Sequence, residues 1–142
     1  MRGWMRLLML AALLMPLSFH ALADAETAED VERTYAAIGD DGVQRAVITG
    51  GDYYFKPKWI VLKLNVPAEL TAEKEPGFVP HNILMDSPEA GMAFDVDLKK
   101  EGKAITFTPT KKGTYLFYCT RKLLFFKSHR EKGMEGVIEV VE

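Results

Sequence analysis

The chain has 142 residues, 18 basic against 20 acidic side chains, and one cysteine. That length suits a single domain with a real core, and a lone thiol excludes a scaffold held by internal disulfides. The slight acidity, with Lys56-Pro57-Lys58 and Lys99-Lys100 dispersed over the surface, excludes a nucleic-acid face.

The chain begins as an export signal would. Arg2 and Arg6 precede a short apolar run, Leu7 to Leu17, and Ala21-Leu22-Ala23 offers the small residues a signal peptidase reads. The run falls short of the ~20 apolar residues that a membrane-spanning helix needs. We therefore expect residues 1–23 to be a cleaved signal peptide, 24–42 an N-terminal extension and 43–142 the domain. The mature protein would have no membrane span and would work in the periplasm. Cleavage removes His20, so His81, His129 and Cys119 are the only imidazoles and thiol that remain. An exported thiol must be buried, paired between molecules or held by a metal.

Residues 24–30 are polar and acidic. Val31, Tyr35 and Ile38 have the spacing of a short amphipathic helix stopped by Gly39, and Asp40-Asp41-Gly42 reads as a turn. From Val43 onward, short apolar runs alternate with Gly and Pro. Strands are predicted at 43–49, 53–55, 59–66, 81–85, 93–98, 104–108, 114–119 and 137–141. Within 59–66, Ile60, Leu62, Leu64 and Val66 share one face and Lys63 and Asn65 the other, the period of a half-buried strand. Residues 71–76 read as a connecting turn. Such a series predicts an all-β antiparallel sandwich.

Four residues carry chemistry. Cys119 closes a strand, and the loop from Thr120 to Met134 can bring Cys119, His129 and Met134 to one end of the sandwich. His81, restricted by Pro80 before it, enters a strand from that same end. Two imidazoles, a thiolate and a weak thioether satisfy Cu(II) and Cu(I) without large movement, and the metal's field removes the thiol proton. Asn82, beside His81, is expected to tie the two ligand segments together. Singly, His81 reads as a hydrogen-bonded loop residue, His129 as a solvated one and Met134 as a turn or core residue. Their joint order is what points to a metal.

Here the chain resembles a family, the cupredoxins or small blue copper proteins. The matching stretches are Phe55-Lys56-Pro57 with Ile60, Pro80-His81-Asn82, Gly113-Thr114-Tyr115 through Cys119, and His129 to Gly136. They cover nearly all of the chain from about Val43. The resemblance implies a Greek-key β-sandwich and one copper ion cycling between Cu(I) and Cu(II). It makes His81, Cys119 and His129 equatorial ligands and Met134 the axial one. It further implies outer-sphere electron transfer to a redox protein such as a cytochrome or oxidase domain, with no catalysis by the chain itself. His81 is expected to be the buried imidazole and His129 the one nearer the surface.

One departure concerns the ligand loop. Nine residues, Thr120 to Ser128, separate Cys119 from His129, where the family usually has a much shorter gap. The insert resembles the longer ligand loops of a minority of bacterial cupredoxins. Loop length alters the angles at copper, which leaves both a blue and a tetragonally distorted, green site open. Leu123-Leu124-Phe125-Phe126 make a run of four large apolar residues within it, of which Phe125 and Phe126 either cap the core or form an exposed patch at the metal's edge. Arg121, Lys122, Lys127, Arg130 and Lys132 are either an ordinary solvated loop or a cluster that steers toward an acidic partner.

A copper-handling protein (chaperone, scavenger or sensor) would use the same four ligands. A metal-free interaction domain is the third reading. Open Met-rich or His-rich motifs, usual where copper binds transiently, are absent from the sequence, which favours electron carriage. No phosphate loop, serine triad or paired-carboxylate motif is present, and a Cys119–His nucleophile pair would leave Met134 without a purpose.

Overall fold

The computed structural model describes residues 31–142; the expected signal peptide and the acidic stretch 24–30 lie outside the described residues. The strands are β1 (Arg33–Tyr35), β2 (Ala37–Ile38), β3 (Gln44–Gly51), β4 (Tyr54–Lys56), β5 (Trp59–Lys63) and β6 (Ala68–Lys74). After them come β7 (Asn82–Ser87), β8 (Met92–Asp97), β9 (Lys103–Phe107), β10 (Gly113–Tyr118) and β11 (Glu135–Val141). Among the described residues there is no α-helix, only two short 3-10 turns at Pro88–Ala90 and Arg130–Lys132.

The strands form two sheets, one in the order β1-β5-β11-β10-β7-β8, the other β2-β3-β6-β9 with β4 also on β3. The expected all-β sandwich is therefore present. Its sheets are mixed: β1 with β5, β5 with β11 and β3 with β6 run parallel, while the remaining pairs are antiparallel. Alternate residues of each strand point inward, so Ile48, Leu70, Ile83, Met85, Phe117 and Ile138 meet in one core. The Phe55 and Phe117 rings pack edge to face at 5.3 Å between centroids. Gln44 adds a polar tie between the sheets. Its buried amide donates to the Lys63 and Val66 carbonyls and accepts the Lys63 N–H, each within 2.9 Å.

Three expectations are corrected here. The segment at 31–38 is not a helix: Arg33–Tyr35 pairs with β5 and Ala37–Ile38 with β3, leaving Tyr35 and Ile38 exposed. An eight-residue helix is marginal, and two open sheet edges offer its backbone more partners. Residues 71–74 are not part of a connecting turn but the end of β6, in which Ala68, Leu70 and Ala72 are buried between β3 and β9; the turn begins only at Glu75. The predicted strand 59–66 stops at Lys63, because Asn65 adopts a left-handed conformation (φ 57°) that ends the ladder.

This topology brings the chemistry together. β10 is antiparallel to both β7 and β11, with Tyr118 opposite Leu84 on one side and Glu135 on the other. The start of β7, the end of β10 and the start of β11 therefore share one end of the sheet. His81, Cys119 and Met134 are the residues immediately outside those three strand ends.

Candidate metal centre

Each side chain arrives for a local reason. Along β10, Tyr115 and Phe117 point inward, and Cys119 continues that face one step beyond the strand, where it is fully buried. His81 precedes β7, and its carbonyl accepts the Leu98 N–H at 3.0 Å, which fixes the ring's backbone against the end of β8. His129 begins the short turn at Arg130–Lys132, and its carbonyl accepts the Met134 N–H at 3.0 Å. The Met134 carbonyl in turn accepts the Cys119 N–H at 3.1 Å. Met134 is thereby fastened by its backbone to two of the other three residues, with its side chain buried.

The donor atoms converge. His81 Nδ1 lies 3.1 Å from His129 Nδ1, and Cys119 Sγ lies 4.0 Å and 3.5 Å from those two nitrogens. A first-row ion with bonds of about 2.0 Å to nitrogen and about 2.3 Å to sulfur, at angles of about 100–120°, separates two nitrogens by about 3.1–3.5 Å. The same geometry puts nitrogen about 3.3–3.7 Å from sulfur. The sides of 3.1 and 3.5 Å fall in these ranges, while the 4.0 Å side from Cys119 to His81 asks a wider angle of about 135–140° at the ion; a soft sulfur with two imidazoles suits copper. The residues present fit the group.

Burial sets the electrostatics. His81 and His129 are 3% and 2% exposed, so the two rings are buried alike. It is His81 that borders a shallow groove, together with Phe78, Pro80, Lys99 and Arg121. Burial, then the charge of His129 and of Lys74, lowers His81 to about 4. His129 is also lowered, by burial first and then by Lys132 and Arg121. Both rings are thus neutral at pH 7 and ready to donate a lone pair. Metal and proton compete little there.

Asn82 ties the segments together as expected. Its Oδ1 accepts the Thr120 N–H at 2.9 Å and lies 3.3 Å from Cys119 Sγ, while its Nδ2 donates to Asp95 at 2.6 Å. Tyr53 escaped the sequence reading. Its ring sits edge-on to His129 at 4.9 Å and to His81 at 6.2 Å, with Lys132 Nζ 3.9 Å above it. Tyr53 holds φ 64° in the turn between β3 and β4. No spacing marks such a residue, although Gly50-Gly51-Asp52 before it signals a turn.

The nine-residue insert folds outward. The His129 N–H donates to the Arg121 carbonyl at 2.9 Å, closing a neck, and a tight turn inside it joins Phe126 N–H to Leu123 O at 3.0 Å. Leu123, Leu124, Phe125 and Phe126 are all exposed, so they do not cap the core. Arg121 pairs with Asp97, and Arg130 pairs with Glu135 and stacks on Tyr118.

No protein-family model matches the chain. Over 68 residues it is 37% identical to a plastocyanin of Daucus carota, a match covering 43% of this chain and 63% of that protein, less than two thirds of the relative's length. Over 101 residues it is 28% identical to a plastocyanin of Ginkgo biloba, covering 65% of this chain and 92% of that protein. In fold it is similar to the metal-binding domain of the Cu(I)-exporting P-type ATPase CopA of Streptococcus pneumoniae D39, with TM-score 0.60, 24% identity, and 79% and 98% of the two chains covered. It is likewise similar to auracyanin of Roseiflexus castenholzii, with TM-score 0.57, 18% identity, and 75% and 99% covered. With its two-sheet sandwich and its buried His81, Cys119 and His129 at one sheet end, the chain has a cupredoxin-like fold and is similar in sequence to plastocyanins.

Proposed function

We propose that this chain is an exported one-electron carrier that holds a single copper ion with His81, Cys119 and His129, and with Met134 as a weak fourth ligand. The observation that carries the reading is the convergence of two Nδ1 atoms and one Sγ within 4.0 Å of each other, all buried. When bound, copper supplies reversible one-electron exchange. The chain does the rest by keeping the donors fixed. Asn82 and the hydrogen bonds among Cys119, His129 and Met134 resist rearrangement, and Tyr53 screens the rings from water. In this reading the chain carries an electron and performs no catalysis of its own. Its partner would be another redox protein, such as a cytochrome or oxidase domain, and the signal-like residues 1–23 favour work in the periplasm.

The test is visible absorption of the copper-loaded protein. A strong thiolate-to-Cu(II) charge-transfer band is expected, and Cys119→Ser abolishes it. Loaded protein without such a band overturns the proposal.

A copper-handling role has one observation in its favour, the fold likeness to the metal-binding domain of a Cu(I) exporter. Burial of all three donors supports retention instead. Slow release to a chelator alongside fast electron exchange with a cytochrome favours the carrier; the reverse favours handling.

A further inference from the structure

The lobe formed by the insert takes no part in holding the metal. Beyond the neck between Arg121 and His129, Leu123, Leu124, Phe125 and Phe126 are 58%, 75%, 85% and 51% exposed, and the two phenyl rings lie against each other with centroids 4.9 Å apart. Leu124 is held at φ 47° so that the tip turns sharply. Lys122 and Lys127 bracket the four apolar residues in sequence, and neither enters an ion pair among the described residues. The acid nearest to them along the loop, Glu131, is turned to Ser128, whose N–H and hydroxyl both bond it at 2.7 Å. A second apolar side chain, the fully exposed Phe78, stands at the same end of the molecule, on the groove that Arg121 also lines.

We propose that this lobe is an interfacial anchor that seats the metal end of the protein on an anionic lipid bilayer. A convex, unbroken apolar tip with a cationic collar matches the two attractions that hold a peripheral protein at such a surface. The tip buries apolar area among acyl chains, and Lys122 and Lys127 meet the headgroup charge. Their long stems allow the ammonium groups to stay at the headgroups while the tip goes deeper. A protein partner fits the observations less well. Protein hot spots favour Tyr, Trp and Arg and disfavour Leu, and a tip protruding this far would need a deep matching pocket. The collar's positive charge on a net acidic chain is complementary to anionic lipid and gives the approach a direction.

The experiment uses the mature chain from Asp24 carrying Phe125→Trp, with the parent chain's emission subtracted to remove Trp59. Vesicles of phosphatidylcholine are compared with vesicles containing phosphatidylglycerol. A blue shift of the added indole is expected on the anionic vesicles, with binding at least tenfold weaker on the neutral ones. In the same background, Lys122→Glu with Lys127→Glu lowers anionic-vesicle binding at least tenfold, as does Leu124→Ser with Phe126→Ser. The copper band of each variant stays unchanged, which shows that the fold is intact. An indole that stays water-like on both vesicles overturns the proposal, as does binding that survives both pairs of substitutions. An indole that responds to an acidic cytochrome and not to lipid makes the lobe a protein-docking surface and overturns it too.

Discussion

The carboxamide of Asn82 holds Thr120 from both of its atoms: Oδ1 accepts the Thr120 N–H at 2.9 Å, and Nδ2 lies 2.9 Å from Thr120 Oγ1. The residue after one proposed ligand is thus clamped to the residue after another. Asn82→Ala leaves the Thr120 N–H without its partner and frees Cys119 Sγ from its neighbour. We expect a loss of about 2–3 kcal/mol in unfolding free energy, together with a shifted copper band. Denaturant unfolding and visible absorption check the pair of effects. A variant that keeps both values would show that the clamp positions nothing.

Gly50 leaves room for the buried end of Met134. A Cβ added there would lie 2.3 Å from Leu98 Cδ1 and 3.3 Å from Met134 Cε. Gly50→Ala therefore crowds the proposed axial ligand and overpacks the core, at about 1–3 kcal/mol. The prediction is a lowered melting temperature together with a change in the ratio of the visible bands. An unchanged spectrum in a destabilised variant would mean that Met134 does not reach the metal.

Gln44 predicts a purely structural effect. Replacing it with Leu strands the Lys63 N–H and removes the partner of two carbonyls at the junction of the sheets. The expected cost is about 2–4 kcal/mol, with the copper spectrum untouched. Chemical denaturation of the loaded and metal-free protein tests both halves.

The metal-free protein should lose stability in mild acid. His81 is lowered to about 4 and His129 is lowered as well, while an unfolded histidine titrates near 6.5. Between those values the unfolded chain binds more protons, so stability rises with pH across the window and falls as pH drops through it. Below about 4, His81 is protonated in both states and its penalty is complete, at up to about 3 kcal/mol. Denaturation midpoints at pH 7, 6 and 5 measure this while the carboxylates remain ionised. The slope should flatten in His81→Gln, and a slope that survives that change would assign it elsewhere.

Much of the site was legible in the sequence because strand ends dictate it. The Gly-and-Pro punctuation located β7, β10 and β11, and their pairing makes His81, Cys119 and Met134 neighbours whatever lies between. β6 was hidden because its outward, half-buried face is Glu69, Thr71 and Glu73 and its buried face largely alanine, so period two was present with Thr71 as its one strong β-former. The helix expected at 31–38 failed because apolar spacing cannot register an open sheet edge. The depth of His129 and the exposure of Phe125 were illegible for one shared reason. Both follow from where the loop closes on itself, and a single backbone hydrogen bond decides that.

The bond from the His129 N–H to the Arg121 carbonyl has a consequence beyond the site. Everything between those residues leaves and re-enters at one gate, so its length is uncoupled from the spacing of the donors. Such a gate is a splice point at which an appendage can be lengthened, trimmed or exchanged while the metal-binding triangle stays put. The long gap between Cys119 and His129 is then an accessory carried by the fold, free to acquire a business of its own.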